Sequence, residues 1–514
     1  MIIFYLCEFI IICIGLYFSY YRSNYPIHML QLEGYDNKEY KNWIRENKDH
    51  VSKFLYSKNY KSKTPLVWTE RAKRLLKTHK LVNVICFLIG AIITDIIYEN
   101  TKSYLSLIGL IIFSLLIYYF QYVLLLISNA IRKPKEEKIN LGFYLQAQEK
   151  IKTLKKESGL KVLGITGSFG KTSVKFISDT ILKEKYRTKN TPSSFNTPMG
   201  LSKVINNELD KNHEVFIAEL GAKQKGEIDE VAKLVSPDIG IITAVGPTHM
   251  HLFKTIENIQ NTKYELIEDL PEDGIAIFNY DNDYVKPLAD KTKKKTYRYG
   301  IKDIEKLDVY AKDIRVNEKG STFTLGIKGL GEISCSSVLL GIHNISNLLA
   351  GASAAYVLGL NLEQIKNGIE KVKAVEHRLN IVPSPAGYVV IDDAFNSNPV
   401  GFRAALSVID EFKEGKKIII TPGMVELGAI EEEENYKIGI EIAKVCDYVI
   451  LVGQKISAPI KRALIDNNFN EDRIFTVKSL NDGTSKLVEI AKAGDVVLFE
   501  NDLPDNYNEE WFYV

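Results

Sequence analysis

The stretch Val162-Leu163-Gly164-Ile165-Thr166-Gly167-Ser168-Phe169-Gly170-Lys171-Thr172-Ser173 decides the fold. An apolar strand-like run from Val162 to Ile165 enters a glycine-bearing turn, and a helical pattern follows from Val174 to Lys183. Strand, turn and helix in that order predict a phosphate-binding loop. Glycines let backbone N–H groups curl around an anion, the new helix presents its positive end, Lys171 adds charge, and the Thr172 hydroxyl can ligate Mg²⁺. Gly167, Ser168, Gly170, Lys171, Thr172 and Ser173 are therefore the candidate nucleotide contacts. A strict P-loop pattern has glycine five residues before Gly170, where this chain has Ile165. Nucleotide binding alone is compatible with a kinase, a motor, a switch or a ligase.

Outward from this loop, strand-like runs recur at Val215–Leu220, Ile239–Val245 and Ile275–Asn279, with helical patterns at Glu227–Leu234 and Ile256–Leu270. Such alternation predicts an α/β fold whose parallel sheet is covered on both faces. Alternating polarity with glycine turns from Val309 to Val338 predicts a small antiparallel insert or edge. After His377-Arg378 a second series begins: Tyr388–Ile391, Lys417–Thr421, Tyr448–Val452, Arg473–Val477 and Asp495–Phe499 read as the strands of a Rossmann-like unit. The expected organisation is a membrane region over 1–138, an ATP-binding central domain over 139–376 entered by an amphipathic helix at Leu141–Lys155, and a C-terminal domain over 377–514.

The membrane region rests on three apolar runs, at 2–21, 81–98 and 104–128. Each approaches the ~20 residues a helix needs to cross a bilayer. The first lacks the basic n-region and small-residue cleavage site of a signal peptide, so a retained anchor is expected. Arg71, Lys73, Arg74, Lys77 and Lys80 precede the second run, and Arg132, Lys133 and Lys135 follow the third. Basic flanks stay cytoplasmic, so the expectation is a multi-pass protein of the cell membrane with an external N-terminus and cytoplasmic catalytic domains. Glu8 and Asp95 fall inside spans, where an ionisable group can mark a functional pairing; both lie near span ends, so a snorkelled or interfacial role is the first expectation.

Over the 514 residues, 66 Lys and Arg oppose 64 Asp and Glu; the formal charge of +2 gives no reason to expect nucleic-acid binding. The five cysteines show no CxxC spacing, so neither a disulfide framework nor a zinc site is read.

The variant loop Gly164-Ile165-Thr166-Gly167-Ser168-x-Gly170-Lys171-Thr172 resembles the ATP loop of the Mur ligase superfamily. Further motifs occur in that family's order. Thr191 to Gly200, Phe216 to Ala222 with Gly226-Glu227-Ile228, Thr243 to His249, and Lys263 with Glu265 resemble the MurF branch, whose members add D-alanyl-D-alanine. Gly341 to Asn347 resembles the family's adenine-contacting segment and His377-Arg378 its junction into the last domain, while Ile391 to Pro399 and Met424-Val425-Glu426-Leu427-Gly428 resemble MurF segments.

The resemblance implies an ATP-dependent ligase that joins a carboxylate to an amine through an acyl phosphate. It implies that Thr172 and Glu219 hold one Mg²⁺, that His249 binds a second, and that Lys263 becomes a carbamate helping to position that second ion. Asn347, Arg378 and Asp393 would grip adenine, phosphate and ribose, with Asn344 nearby, and Lys171 would act on the γ-phosphate. Lys171, Lys263 and His249 are thus the expected catalytic residues. His251 is expected to be a loop residue, while Asn396 and Asn398 are read equally as substrate-orienting and as turn residues.

The chain departs from that branch in three places. Spans and a basic segment from Arg22 to Lys80 stand where a UDP-binding domain is usual, Asn435 stands where histidine is usual, and Phe499-Glu500-Asn501-Asp502-Leu503 lacks a Lys-Gly-Ser-Arg-like ending. No Asp-Asn-Pro-Arg segment of the MurE type and no clustered cysteines of the MurT-like branch are present. The implied partners are a peptide-precursor acceptor, an amino-acid or dipeptide donor and the lipid bilayer. Ligation onto another envelope polymer or a lipid-linked acceptor, of pseudomurein or polyglutamate type, is the alternative; a nucleotide-dependent membrane scaffold is the alternative of another class.

Overall fold

A helix apolar around its whole circumference needs an apolar solvent, whereas an apolar stripe needs only a neighbour. Both kinds occur in the computed structural model, which describes residues 1–52, 65–192, 195–382, 384–395 and 397–503. The chain divides into two compact units, one built from Met1–Leu141 and one from Gly142–Leu503.

In the N-terminal unit the helices Ile2–Leu32 and Glu70–Thr101 are long and apolar enough to cross a membrane. Both extend beyond the apolar runs that announce them. The third expected span, 104–128, is not one helix. It is broken at Phe120 into Leu105–Tyr119 and Gln121–Ser158, which are bent by 69°. The polar groups at the break supply the reason. The buried Gln121 side chain donates from Nε2 to Asn83 Oδ1 at 2.8 Å, and its Oε1 lies 2.8 Å from His79 Nε2; His79 Nδ1 lies 2.9 Å from Ser128 Oγ. A straight lipid-facing span would leave an amide without partners in hydrocarbon; the bend brings it to other polar side chains. The described part of the basic segment after the first span also folds. Asp36 caps the helix Asn37–Glu46, which buries Tyr40 and Trp43 in a core with Ile27, Tyr122 and Leu125.

In the second unit β1 (Lys161–Thr166), β2 (Thr188–Asn190), β3 (Val215–Glu219), β4 (Ile239–Ile242), β5 (Ile275–Asn279), β6 (Lys295–Gly300), β7 (Val309–Asn317), β8 (Gly320–Ile327) and β9 (Gly331–Ser337) form a sheet ordered β2-β3-β1-β4-β5-β6-β7-β8-β9. Strands β2 to β7 are joined by parallel pairings, and β7, β8 and β9 are antiparallel, as the alternating polarity of that segment predicts. Successive strand residues face opposite sides, so both faces are apolar. Leu163, Ile165, Ile217 and Ile241 pack with Val174, Ile177, Ile345 and Leu348. Val162, Phe216, Ala218 and Ile242 pack on the other face with Leu201, Val231 and Leu266.

The second sheet is β10 (Asn380–Val382), β11 (Val389–Asp393), β12 (Lys417–Thr421), β13 (Tyr448–Val452), β14 (Ile474–Val477) and β15 (Val496–Glu500), ordered β10-β11-β15-β12-β13-β14 and parallel except for β10. The carboxyl ends of β1, β3 and β4 in the first sheet, and of β11 and β12 in the second, carry the phosphate loop, Glu219, His249, Asp393 and Glu426, whereas Lys263 lies on the helix Ile256–Glu268, Asn344 and Asn347 on Ile342–Val357, and Arg378 just before β10. The carboxyl ends of parallel strands are where open α/β sheets bind ligands.

Candidate active site

The loop after β1 is built by two glycines. Gly167 and Gly170 have φ of 155° and 80°. A Cβ on Gly167 would collide with Thr243 Oγ1, and one on Gly170 would lie 2.8 Å from Asn347 Oδ1, so other residues would have to push their neighbours apart. Thr243 Oγ1 donates to Phe169 O at 2.6 Å and clamps the turn. Gly170 then opens the helix Lys171–Leu182, and Lys171 Nζ donates back to Gly167 O at 2.7 Å. Burial holds the Lys171 ammonium below the ordinary lysine range; the Glu219 carboxylate opposes that and the Arg378 guanidinium adds to it.

At the end of β3, Glu219 is buried and receives three kinds of donor. Thr172 Oγ1 lies 3.1 Å from Oε2, Lys175 Nζ lies 3.1 Å from the same oxygen, and Asn196 Nδ2 donates to Oε1 at 3.1 Å. Lys175 and Asn196 were not among the expected site residues. Lys175 carried a signal, because it follows Thr172 by three positions and shares its helix face.

His249 follows β4 in a left-handed backbone conformation, and its Nδ1 lies 2.9 Å from Glu426 Oε2. Lys263 is 3% exposed. Among the described residues its ammonium makes no hydrogen bond and lies 5.7 Å from the Phe253 ring. Burial first, and the charge of Lys171 second, push its pKa down to about 7, against the opposing pull of Glu227 and Glu265. Glu265 itself accepts the N–H groups of Gly226 (2.9 Å) and Asp229 (3.1 Å), and so caps the helix Glu227–Val235. The side chain of His251 and the residue Asn396 lie outside the described residues. Asn398 Oδ1 accepts from Val400 and Gly401 at 3.1 and 3.0 Å, an ordinary helix cap, while its side also lines the cavity described below.

Asn347 Nδ2 donates to Asn344 Oδ1 at 3.0 Å, and Asn344 Nδ2 donates to Leu340 O at 2.8 Å. Arg378 lies over the Phe395 ring at 4.3 Å. Asp393, at the end of β11, accepts Leu379 N–H at 3.1 Å and is the register partner of Glu500 on β15. Burial raises the Asp393 carboxyl above its usual range and Arg378 opposes it; burial raises Glu500 further, with Asp393 beside it.

A cavity of about 190 Å³ unites residues from both sheets. Ser168, Gly170, Lys171, Thr172, Ser173, Glu219 and His249 line it from the first, and Arg378, Asn398 and Glu426 from the second. Gly167, Lys263, Asn344, Asn347 and Asp393 stand outside its wall.

The Mur ligase middle domain family matches residues 165–355, and the Mur ligase, glutamate ligase domain family matches residues 377–500. A UDP-N-acetylmuramoyl-tripeptide--D-alanyl-D-alanine ligase of Bacillus subtilis is 32% identical over 355 residues, covering 69% of this chain and 75% of the relative. The chain belongs to the Mur ligase family. The MurF ligase of Thermotoga maritima, solved in complex with ADP, superposes with a TM-score of 0.61 at 25% identity, covering 71% of this chain and 82% of that one. MurF from Acinetobacter baumannii gives 0.64 at 24% identity over 73% and 80%, a likeness of fold. This Mur ligase is accordingly an ATP-dependent peptide ligase, and its phosphate loop, despite Ile165, lies within the matched region.

Proposed function

We propose that this ligase adds D-alanyl-D-alanine to a peptidoglycan peptide precursor, organised as a membrane region to residue 138, a catalytic domain over 139–376 and a closing domain over 377–514. The observation that carries the reading is the shared cavity, where a phosphate loop and Glu219 face Arg378 and Glu426 from the other sheet. The γ-phosphoryl group of ATP passes to a carboxylate oxygen of the precursor, giving ADP and an acyl phosphate. The donor amine then attacks the carbonyl carbon, its nitrogen losing a proton as inorganic phosphate leaves. Lys171 and Arg378 supply positive charge where two anions must meet, and such preorganised charge is a large part of catalysis. Residues from two domains exclude water from the acyl phosphate only when both are in place.

The residues fit Mg²⁺. The Thr172 hydroxyl and Glu219 carboxylate are hard oxygen donors side by side, and no group of three or more His, Cys, Asp or Glu gathers among the described residues. Mg²⁺ is commonly held by one or two carboxylates plus phosphate oxygens and water, so a larger protein cage is not required. In this reading Thr172 and Glu219 hold one ion, with Lys175 and Asn196 fixing the carboxylate, and His249 and carbamylated Lys263 hold a second. The bound ions would neutralise the β- and γ-phosphates. Asn347, Asn344 and Asp393 are assigned to adenine and ribose.

The basic flanks at Arg71–Lys80 and Arg132–Lys135 support a cell-membrane location with the catalytic unit on the cytoplasmic side. The two long apolar helices also favour a second reading of the acceptor, a lipid-linked precursor presented at the membrane. Detergent-solubilised protein given ATP, Mg²⁺, D-alanyl-D-alanine and separate UDP-linked and lipid-linked peptide precursors tests both. A product heavier by the dipeptide residue, with phosphate release that requires the amine, is expected; no ligated product from either class would defeat the proposal.

A further inference from the structure

Two residues with unfavourable backbones meet across the cavity. His249 and Glu426 have φ of 49° and 65°, although neither is glycine. Conformations of this kind are unfavourable for residues with a Cβ and persist where the surroundings enforce them. For Glu426 the enforcement is visible. The buried Asn435 clamps Met424, two residues earlier, on both sides, accepting its N–H at 2.9 Å and donating to its O at 2.9 Å. Asn501 Nδ2 donates to Gly423 O at 2.6 Å and fixes the residue before Met424. What these clamps deliver is a carboxylate 2.9 Å from His249 Nδ1, contributed by the domain that does not carry His249.

The contact is at ion-pair distance without the alignment of a hydrogen bond; a turn of the ring that lets Nδ1–H donate to the carboxylate locks one tautomer and leaves the Nε2 lone pair available to a metal. We propose that Glu426 is a positioning residue which the C-terminal domain lends to His249, so that the second Mg²⁺ is held tightly only when the two domains are together. The proposal rests on the reading of His249 as a magnesium ligand. It goes beyond that reading by making ion binding and domain contact a single linked equilibrium. Each then strengthens the other by the same factor. The acyl phosphate would form only in a closed site.

The full chain in detergent, with ADP and Mn²⁺ as the probe, tests this by electron paramagnetic resonance counting of bound ions, without turnover. The unaltered protein should bind two ions. In Glu426→Ala the first should bind as before and the second about 10- to 100-fold more weakly. Glu426→Gln, whose amide oxygen can still accept Nδ1–H, should recover part of that loss. His249→Ala should lose the second ion outright. Hydrogen exchange read over residues 424–428 should slow on Mn²⁺ addition in the unaltered protein but not in His249→Ala. The first ion reports folding, and if Glu426→Ala loses both, Glu426→Gln decides, since it keeps the side chain's shape. A second ion of unaltered affinity in the deciding variant, with His249→Ala losing it, overturns the role of Glu426 while His249 stands. Two ions retained by His249→Ala overturn the metal reading and this proposal with it.

Discussion

Replacing Lys263 by methionine should make the protein more stable and inactive at once, a combination that separates a functional lysine from a structural one. The side chain is 3% exposed. Its pKa is lowered from 10.5 to about 7, so between those values the unfolded chain binds a proton that the fold releases. Stability therefore rises with pH across that interval: the penalty is full below about 7 and is lost as pH approaches the unfolded value near 10.5. At ~1.4 kcal/mol per pH unit, the penalty at neutral pH is roughly 3–5 kcal/mol. Methionine keeps the length and removes the charge, so Lys263→Met should raise the unfolding free energy from denaturant titration at neutral pH by that order, with the gain fading towards pH ~10. The comparison is made in CO₂-free buffer, because the neutral amine reacts with CO₂, losing a proton to become a carbamate, and the carbamate would alter the reference. With bicarbonate restored, the unaltered enzyme should gain activity and a ¹³C carbamate signal. Lys263→Met and Lys263→Arg should show neither, and a short carboxylic acid should partly revive a Lys263→Ala enzyme. A methionine variant that is destabilised at neutral pH, or an arginine variant that ligates normally, refutes the reasoning.

Lys171→Ala should lower the turnover number by on the order of 10²–10³ in a steady-state phosphate-release assay, as removal of other electrostatic stabilisers does; near-normal ligation would place the γ-phosphate elsewhere. Because burial raises the Asp393 carboxyl, its acceptor oxygens are lost as pH falls through a value above the usual aspartate range, so KM for ATP should climb on mild acidification. Asp393→Asn should start from a higher KM and show a flatter acid limb; an unchanged KM would leave Asp393 a loop residue. A reporter fused after Lys138 should behave as cytoplasmic and one inserted at Thr101 as external, and the reverse pattern would defeat the membrane orientation.

The sequence by itself determined what depends on short stretches. The phosphate loop is legible because glycines, Lys171 and Thr172 act within one turn, and β3, β4, β5, β12 and β13 are legible because apolar runs of strand length announce them. Strand β6, Lys295-Thr296-Tyr297-Arg298-Tyr299-Gly300, escaped because its charged residues mask the pattern, and β2 and β10 are only three residues each. The third apolar run met every local criterion for a span, yet a buried cluster drawn from separate helices bends it at Phe120. The candidate site divides the same way. Resemblance placed Glu219, His249, Lys263, Arg378 and Asp393 on the list, but that Lys175 and Asn196 hold Glu219, that Glu265 caps a helix, and that Glu426 reaches His249 were decided by tertiary structure. The physical reason is range: propensity, turn chemistry and periodicity act over a few residues, whereas which carboxylate meets which cation follows from sheet order, strand register and the packing of one domain on the other.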